Sequence, residues 1–101
     1  MLTSKQRAQL RGLAATEDTI VHIGKGGITD NIITQMSDAL KARELVKGRV
    51  LENSLLSARE ACDRLAEVCR AEPVQVIGSK FVLYKRNEQK QKIELVKKAR
   101  K

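Results

Sequence analysis

Apolar residues recur along this chain in two rhythms, and each change of rhythm marks a new element. Over residues 4–15, Leu10, Leu13 and Ala14 form a narrow stripe at helical spacing, with Ser4 placed to cap the helix. Residues 19–23 (TIVHI) are short and β-branched, as suits a strand. From Ile28 the helical period returns: Ile28, Ile32, Met36 and Leu40 make one ridge, flanked by Ile33 and Ala39. Asn31, Thr34, Gln35 and Asp38 face away, so this helix should lie on a sheet, capped by Thr29 or Asp30 and running to about Ala42. Residues 44–51 (ELVKGRVL) alternate: Val46, Gly48 and Val50 go to one face, Leu45, Lys47, Arg49 and Leu51 to the other. Lys47 and Arg49 should therefore project together. A third helix is expected from Ser57 to near Ala71, stopped by Pro73. Two β runs, 74–78 and 81–85, follow, joined through Gly78-Ser79-Lys80 as a hairpin. Beyond Arg86 the chain is charged and glutamine-rich; Ile93, Leu95 and Val96 suggest a short helix, with a frayed tail as the alternative.

The expected order is α-β-α-β-α-β-β. Strands separated by helices imply crossover connections and parallel pairing, and the last two strands imply an antiparallel hairpin. The fold class is therefore α/β (α+β), a two-layer sandwich on a mixed sheet. At 101 residues, with 42% apolar side chains, the chain suits one domain with a modest core. It shows no internal repeat and no interior linker.

The charge of +8 is unevenly spread. Residues 1–84 hold a net +2, whereas residues 85–101 hold +6. A dense cationic tail favours a polyanionic partner, nucleic acid before an anionic membrane or an acidic protein. Lys5, Arg7 and Arg11 interrupt the start before any apolar run of signal-peptide length, and no segment is long enough to span a bilayer, so a cytoplasmic location is expected. Cys62 and Cys69 fall on one face of the third helix, about 10 Å apart along its axis, too far to bridge. Core thiols are the simpler reading, and no metal site is expected from them and one histidine.

Residues 23–28 (IGKGGI) carry the most telling chemistry. Three glycines and a lysine lie between a strand and the start of a helix, a setting suited to phosphate. A nucleotide P-loop needs a glycine-lysine-hydroxyl ending, but here Lys25 precedes Gly26 and Gly27. Thr29 likewise occupies the last glycine position of the dinucleotide pattern. What remains is G-x-x-G, Gly24-Lys25-Gly26-Gly27, placed as in KH-type RNA readers. Only Phe81 and Tyr84 are aromatic, too few for a stacking platform, so recognition should lean on the RNA backbone and depend strongly on salt. His22 has no marked nucleophile beside it. Glu60, Asp63 and Glu67, beside Arg59 and Arg64, read as a solvated, ion-paired helix face. No enzyme activity, cofactor or small-molecule substrate is expected.

Residues 23–30 (IGKGGITD), then Ala39-Leu40, Glu44-Leu45-Val46-Lys47 with Arg49, Val76-Ile77-Gly78 and Leu83-Tyr84-Lys85-Arg86, together resemble the CRM domain. Stand-alone bacterial YhbY-type proteins consist almost entirely of that domain. The resemblance covers about residues 2–86, leaving 87–101 as a basic C-terminal tail. It implies an N-terminal helix added to a βαβαββ core with a four-stranded mixed sheet, like the C-terminal domain of translation initiation factor three. It also implies RNA binding, with ribosomal RNA or a large-subunit precursor as partner and ribosome assembly as the role. Gly24, Lys25, Gly26 and Gly27 carry over as the RNA-contacting loop. Supporting basic side chains are expected from Lys47, Arg49, Arg7, Arg11, Lys41, Arg43, Lys80 and Arg86. Two positions depart from the family pattern: Gly48 replaces a usual β-branched residue, and Arg43 a common histidine. We expect a monomer without membrane contact. The rival reading is a protein-interaction adaptor with no direct RNA contact; a phosphate-metabolising enzyme ranks third.

Overall fold

Three hydroxyl side chains start the three helices. The computed structural model describes residues 2–87 and Ile93. Helix α1 (Ser4–Ala14) is capped by Thr3, not Ser4. Thr3 Oγ1 accepts from the Gln6 N–H at 3.1 Å, and Gln6 Oε1 accepts from the Thr3 N–H at 3.0 Å. The reciprocal box needs a Glu or Gln three residues after the hydroxyl, and only Thr3 has one. Strand β1 (Thr19–Ile23) leads to α2 (Asp30–Arg43), capped by Thr29. After β2 (Leu45–Val50), Ser57 and Glu60 form a second capping box for α3 (Ala58–Cys69). The Ser57 amide and hydroxyl hold the Glu60 carboxyl below its usual range, with Arg64 adding to the effect. Helix α3 stops at Arg70, which takes a left-handed φ of 56°, so β3 (Glu72–Ile77) begins two residues earlier than the pattern suggested. Strand β4 (Lys80–Tyr84) returns through a two-residue turn in which Gly78 supplies a φ of 57°.

The sheet order is β1-β2-β4-β3. Strands β1 and β2 are parallel, and β4 is antiparallel to both β2 and β3. Pro73 lies in the edge strand β3, beside a register shift between Pro73 and Gln75, where a missing N–H does least harm. Helices α2 and α3 cover one face, burying Met36, Leu40 and Leu65 against Val21, Ile23, Val46, Phe81 and Leu83. Helix α1 covers part of the opposite face, where Leu10 and Ala14 pack with Leu45, Val74, Val82 and Tyr84. The two-layer core thus carries a partial third layer. Leu13, expected in the α1 stripe, is 41% exposed instead, because Leu10 and Ala14, one turn apart, already make the contact. Cys62 and Cys69 are free and buried, and burial pushes the Cys62 thiol up to about 11. Glu60, Asp63 and Glu67 are exposed as expected, but no ion pair joins them to Arg59 or Arg64 among the described residues. None of the described helices is long and apolar enough to cross a membrane.

Gly48 exists to admit Phe81. A Cβ on Gly48 would lie 2.4 Å from Phe81 Cζ, and the ring is 1% exposed with no room to retreat. The aromatic ring lies across the strand and takes up the space a β-branched residue would fill. Gly48→Ala is expected to destabilise the fold by about 1–3 kcal/mol through overpacking. Urea unfolding measures this, and adding Phe81→Leu should restore part of the loss; an unchanged midpoint would contradict the packing argument.

Glu44 is the one acid found fully buried among the described residues. It ends α2 with a φ of 66°, and its carboxylate reaches the chain beyond β4. The Asn87 N–H donates to Oε2 at 2.7 Å and the Ile93 N–H to Oε1 at 2.6 Å. The Asn87 side-chain amide adds a bond to the Lys41 carbonyl at 3.0 Å. Ile93 also packs against the α1 cluster. Asn87 and Ile93 are therefore both tied to the domain through Glu44. The helix suggested around Ile93, Leu95 and Val96 otherwise lies outside the described residues.

Candidate nucleic-acid interface

The glycine loop is a tight turn with little side chain on it. The Gly24 carbonyl accepts from the Gly27 N–H at 3.0 Å, closing the chain around Lys25 and Gly26, both exposed. Only Gly27 needs to be glycine for the fold, since its φ is 72°. A Cβ at Gly26 would meet nothing nearer than Thr29 Cγ2 at 3.7 Å. One at Gly24 would make ordinary contacts with Asn53 Oδ1 at 3.5 Å and Leu51 Cδ1 at 3.7 Å. Packing does not explain glycine at these two positions; a backbone approaching from outside would. Thr29 Oγ1 takes the Ile32 amide, and among the described residues the amides of Asp30 and Asn31 have no partner. The Asp30 carboxylate occupies the first turn of α2, so an incoming anion belongs nearer Lys25 than the helix end.

Sheet pairing gathers three turns at one end of the molecule. The Leu51 N–H donates to the Ile23 carbonyl, and the Val50 N–H to the Ser79 carbonyl, each at 2.8 Å. These bonds set the turn after β2 and the Gly78-Ser79 turn alongside the glycine loop. Register then builds a row across the sheet: His22 opposite Arg49, Arg49 opposite Lys80, and Lys80 opposite Ile77. All four are exposed, on the α1 side of the sheet. Lys47 lies one pair further back on the same face, as alternation suggested, but it is half-buried and its Nζ donates to the Glu17 carbonyl at 3.4 Å. Arg11 of α1, with Lys47 and Lys80, borders an open groove beside this row.

The remaining basic residues lie elsewhere. Lys41 and Arg43 occupy the last turn of α2, about 20 Å from its start at the usual helical rise. Arg43 pairs there with Glu17, Nη1 to Oε1 at 3.6 Å, in an exposed contact of little energetic weight. Arg86 follows the end of β4, at that same far end of the sheet. Arg7 lies along the β3 edge beside Arg59. The structure thus brings Gly24, Lys25, Gly26, Gly27, Arg49, Lys80 and Arg11 toward one end and leaves Lys41, Arg43 and Arg86 at the other.

Sequence reasoning missed His22, Asn53 and Leu51. Neither Asn53 nor Leu51 carries a motif; only the bond between Leu51 and Ile23 sets them against Gly24. The pairing of His22 with Arg49 needed the register. Phe81 and Tyr84 are 1% and 3% exposed, so neither is offered for base stacking, which leaves the exposed imidazole of His22 on this face. Burial, then the charge of Glu44, pushes the Tyr84 hydroxyl pKa up, and that hydroxyl has no partner among the described residues.

Comparison with known proteins identifies relatives of the whole domain. The profile of the CRS1 / YhbY (CRM) domain matches residues 2–85. The probable RNA-binding protein YqeI of Bacillus subtilis is 42% identical over 94% of this chain and 99% of its own length. An RNA-binding protein of Haemophilus influenzae is 31% identical over 96% of this chain and 97% of its own. The solution structure of SAV1595 from Staphylococcus aureus superposes with a TM-score of 0.79 at 47% identity, covering 95% of this chain and 100% of that one. A single profile spanning all seven elements, together with relatives matched nearly end to end, places this chain in the CRS1 / YhbY (CRM) domain family.

Proposed function

We propose that this protein binds RNA without catalysing a reaction, and acts as a monomer in the cytoplasm on precursors of the large ribosomal subunit. The observation that carries the RNA reading is the gathering of a bare glycine loop and a basic cross-strand row at one end of the sheet. Lys25 neutralises one phosphate while Gly24 and Gly26 let the RNA backbone approach the loop amides. Arg49 and Lys80 hold neighbouring phosphates. With three or four cations engaged, log affinity should fall with log salt at a slope of roughly −2 to −3 on single strands. The names of four relatives, each an RNA-binding protein or a probable one, support the same reading.

Sedimentation of a low-salt cell extract on a sucrose gradient tests the ribosomal part. The expected result is co-migration with the large subunit or its precursor, lost at high salt and on nuclease treatment. Migration only at the top of a low-salt gradient would overturn the ribosomal role. A complex surviving nuclease would favour the protein-adaptor reading instead.

A further inference from the structure

We propose that the groove between α1 and the open face of the sheet seats one unpaired RNA nucleotide, with its base stacked on the guanidinium plane of Arg11. The inference rests on the RNA-binding reading above and adds to it a contact with a base. The groove has a volume of about 280 Å³. That is just below the roughly 300–1,000 Å³ of small-molecule pockets, a size for a fragment such as a nucleobase.

Its lining is mixed in a way a pure phosphate track would not need. Arg11, Lys47 and Lys80 supply positive charge, Ile77 and Val82 supply apolar surface, and Gln75 supplies an amide. No acidic side chain lines it among the described residues. Ile77 is 62% exposed, a large apolar side chain standing in a basic surrounding. Neither Arg11 nor Lys80 has an ion-pair partner among the described residues, so both charges remain available. An acidic protein segment would also satisfy the cations, but it would leave the flat apolar surface and the amide without a purpose.

Arginine is the residue to do the stacking here. Sequence-tolerant RNA binding ordinarily rests on aromatic faces, but Phe81 and Tyr84 are buried, and the exposed His22 imidazole on β1 does not line this groove. A guanidinium plane stacks on a base in the same way. Arg11 is exposed on α1, which Leu10 and Ala14 hold rigidly against the sheet. Lys80 belongs both to the groove and to the row that leads through Arg49 toward the glycine loop. From β4 to β1 is two strand spacings, about 9–10 Å, a span that one strand of RNA covers in a few nucleotides. A strand clamped at the loop therefore reaches the groove without a break.

The test compares a ten-nucleotide oligo(A) with an abasic chain of equal length, which keeps the phosphates and removes the bases. The full chain should bind oligo(A) about tenfold more tightly than the abasic chain at fixed salt. Arg11→Lys keeps the charge and helix propensity but loses the plane, so it should abolish that preference while leaving the salt slope unchanged. Equal binding of both RNAs by the unsubstituted protein would overturn the proposal, as would Arg11→Lys retaining the full preference. Either result would leave the phosphate-binding reading standing. That reading fails on its own terms if neither RNA is bound at low salt.

Discussion

Gly26→Asp is expected to lower RNA affinity about a hundredfold, some 3 kcal/mol, without changing the fold. The backbone at Gly26 is outside the left-handed region, and a side chain there meets only Thr29 Cγ2 at 3.7 Å. An aspartate is therefore accommodated sterically. Its carboxylate would sit beside Lys25, cancel that charge and repel the phosphate proposed to bind there. Gly26→Ala separates the two effects, since it adds bulk without charge and should fall between the parent and the aspartate. Fluorescence anisotropy on a labelled RNA at fixed salt gives the affinities, and thermal unfolding shows that the fold survives. A folded Gly26→Asp variant with parental affinity would remove the loop from the mechanism.

Loss of the Glu44 carboxylate is expected to cost more stability than any surface change in the domain. Glu44→Ala removes the acceptor for the Asn87 and Ile93 amides, two charge-assisted bonds worth about 1.5–3 kcal/mol each. The segment beyond β4 can recover part of this by returning its amides to water, so the expected loss is about 2–4 kcal/mol. That is a large share of the roughly 5–10 kcal/mol available to a small domain. The φ of 66° at Glu44 makes a further, sharper test. Glycine adopts that conformation without strain, so Glu44→Gly should be more stable than Glu44→Ala, reversing their usual order in a helix. Urea unfolding gives the ranking, and hydrogen exchange at Asn87 and Ile93 reports the clamp directly. If those two amides exchange as fast in the parent as in Glu44→Ala, the carboxylate does not hold the segment.

Glu44 also shows why some of this structure was hidden in the sequence. In the chain it reads as the first residue of a strand, one acid among twelve. Its partners are more than forty residues away, and nothing in the local pattern points to them. Leu13 failed for a related reason. Three apolar residues suggested a stripe, but a helix laid on one corner of a sheet needs only the pair one turn apart. The cap of α1 moved from Ser4 to Thr3 because a hydroxyl alone does not define a start; the reciprocal glutamine does.

The candidate site divides along the same line. The turn at its loop was legible, because glycines between a strand and a capped helix shape the backbone locally. The pairing of Lys47 and Arg49 on one face followed from alternation. The outward surroundings of those residues did not follow. Lys47 turned out to be engaged with the Glu17 carbonyl, and Lys41, Arg43 and Arg86 fell at the far end of the sheet from the loop.

The sequence by itself determined the seven elements, most of the residues their helices bury, the parallel-then-hairpin sheet and the glycine-rich loop. All of these rest on hydrogen bonding and hydrophobic spacing within a few residues, so a short window of chain contains their cause. Only the tertiary structure decided that α1 lies across the sheet from its companions, that Phe81 occupies the room left by Gly48, that His22, Arg49 and Lys80 form one row, and that Glu44 grips the chain beyond β4. Those outcomes depend on strand order and register, which join residues tens of positions apart through packing and long-range pairing that no local period encodes.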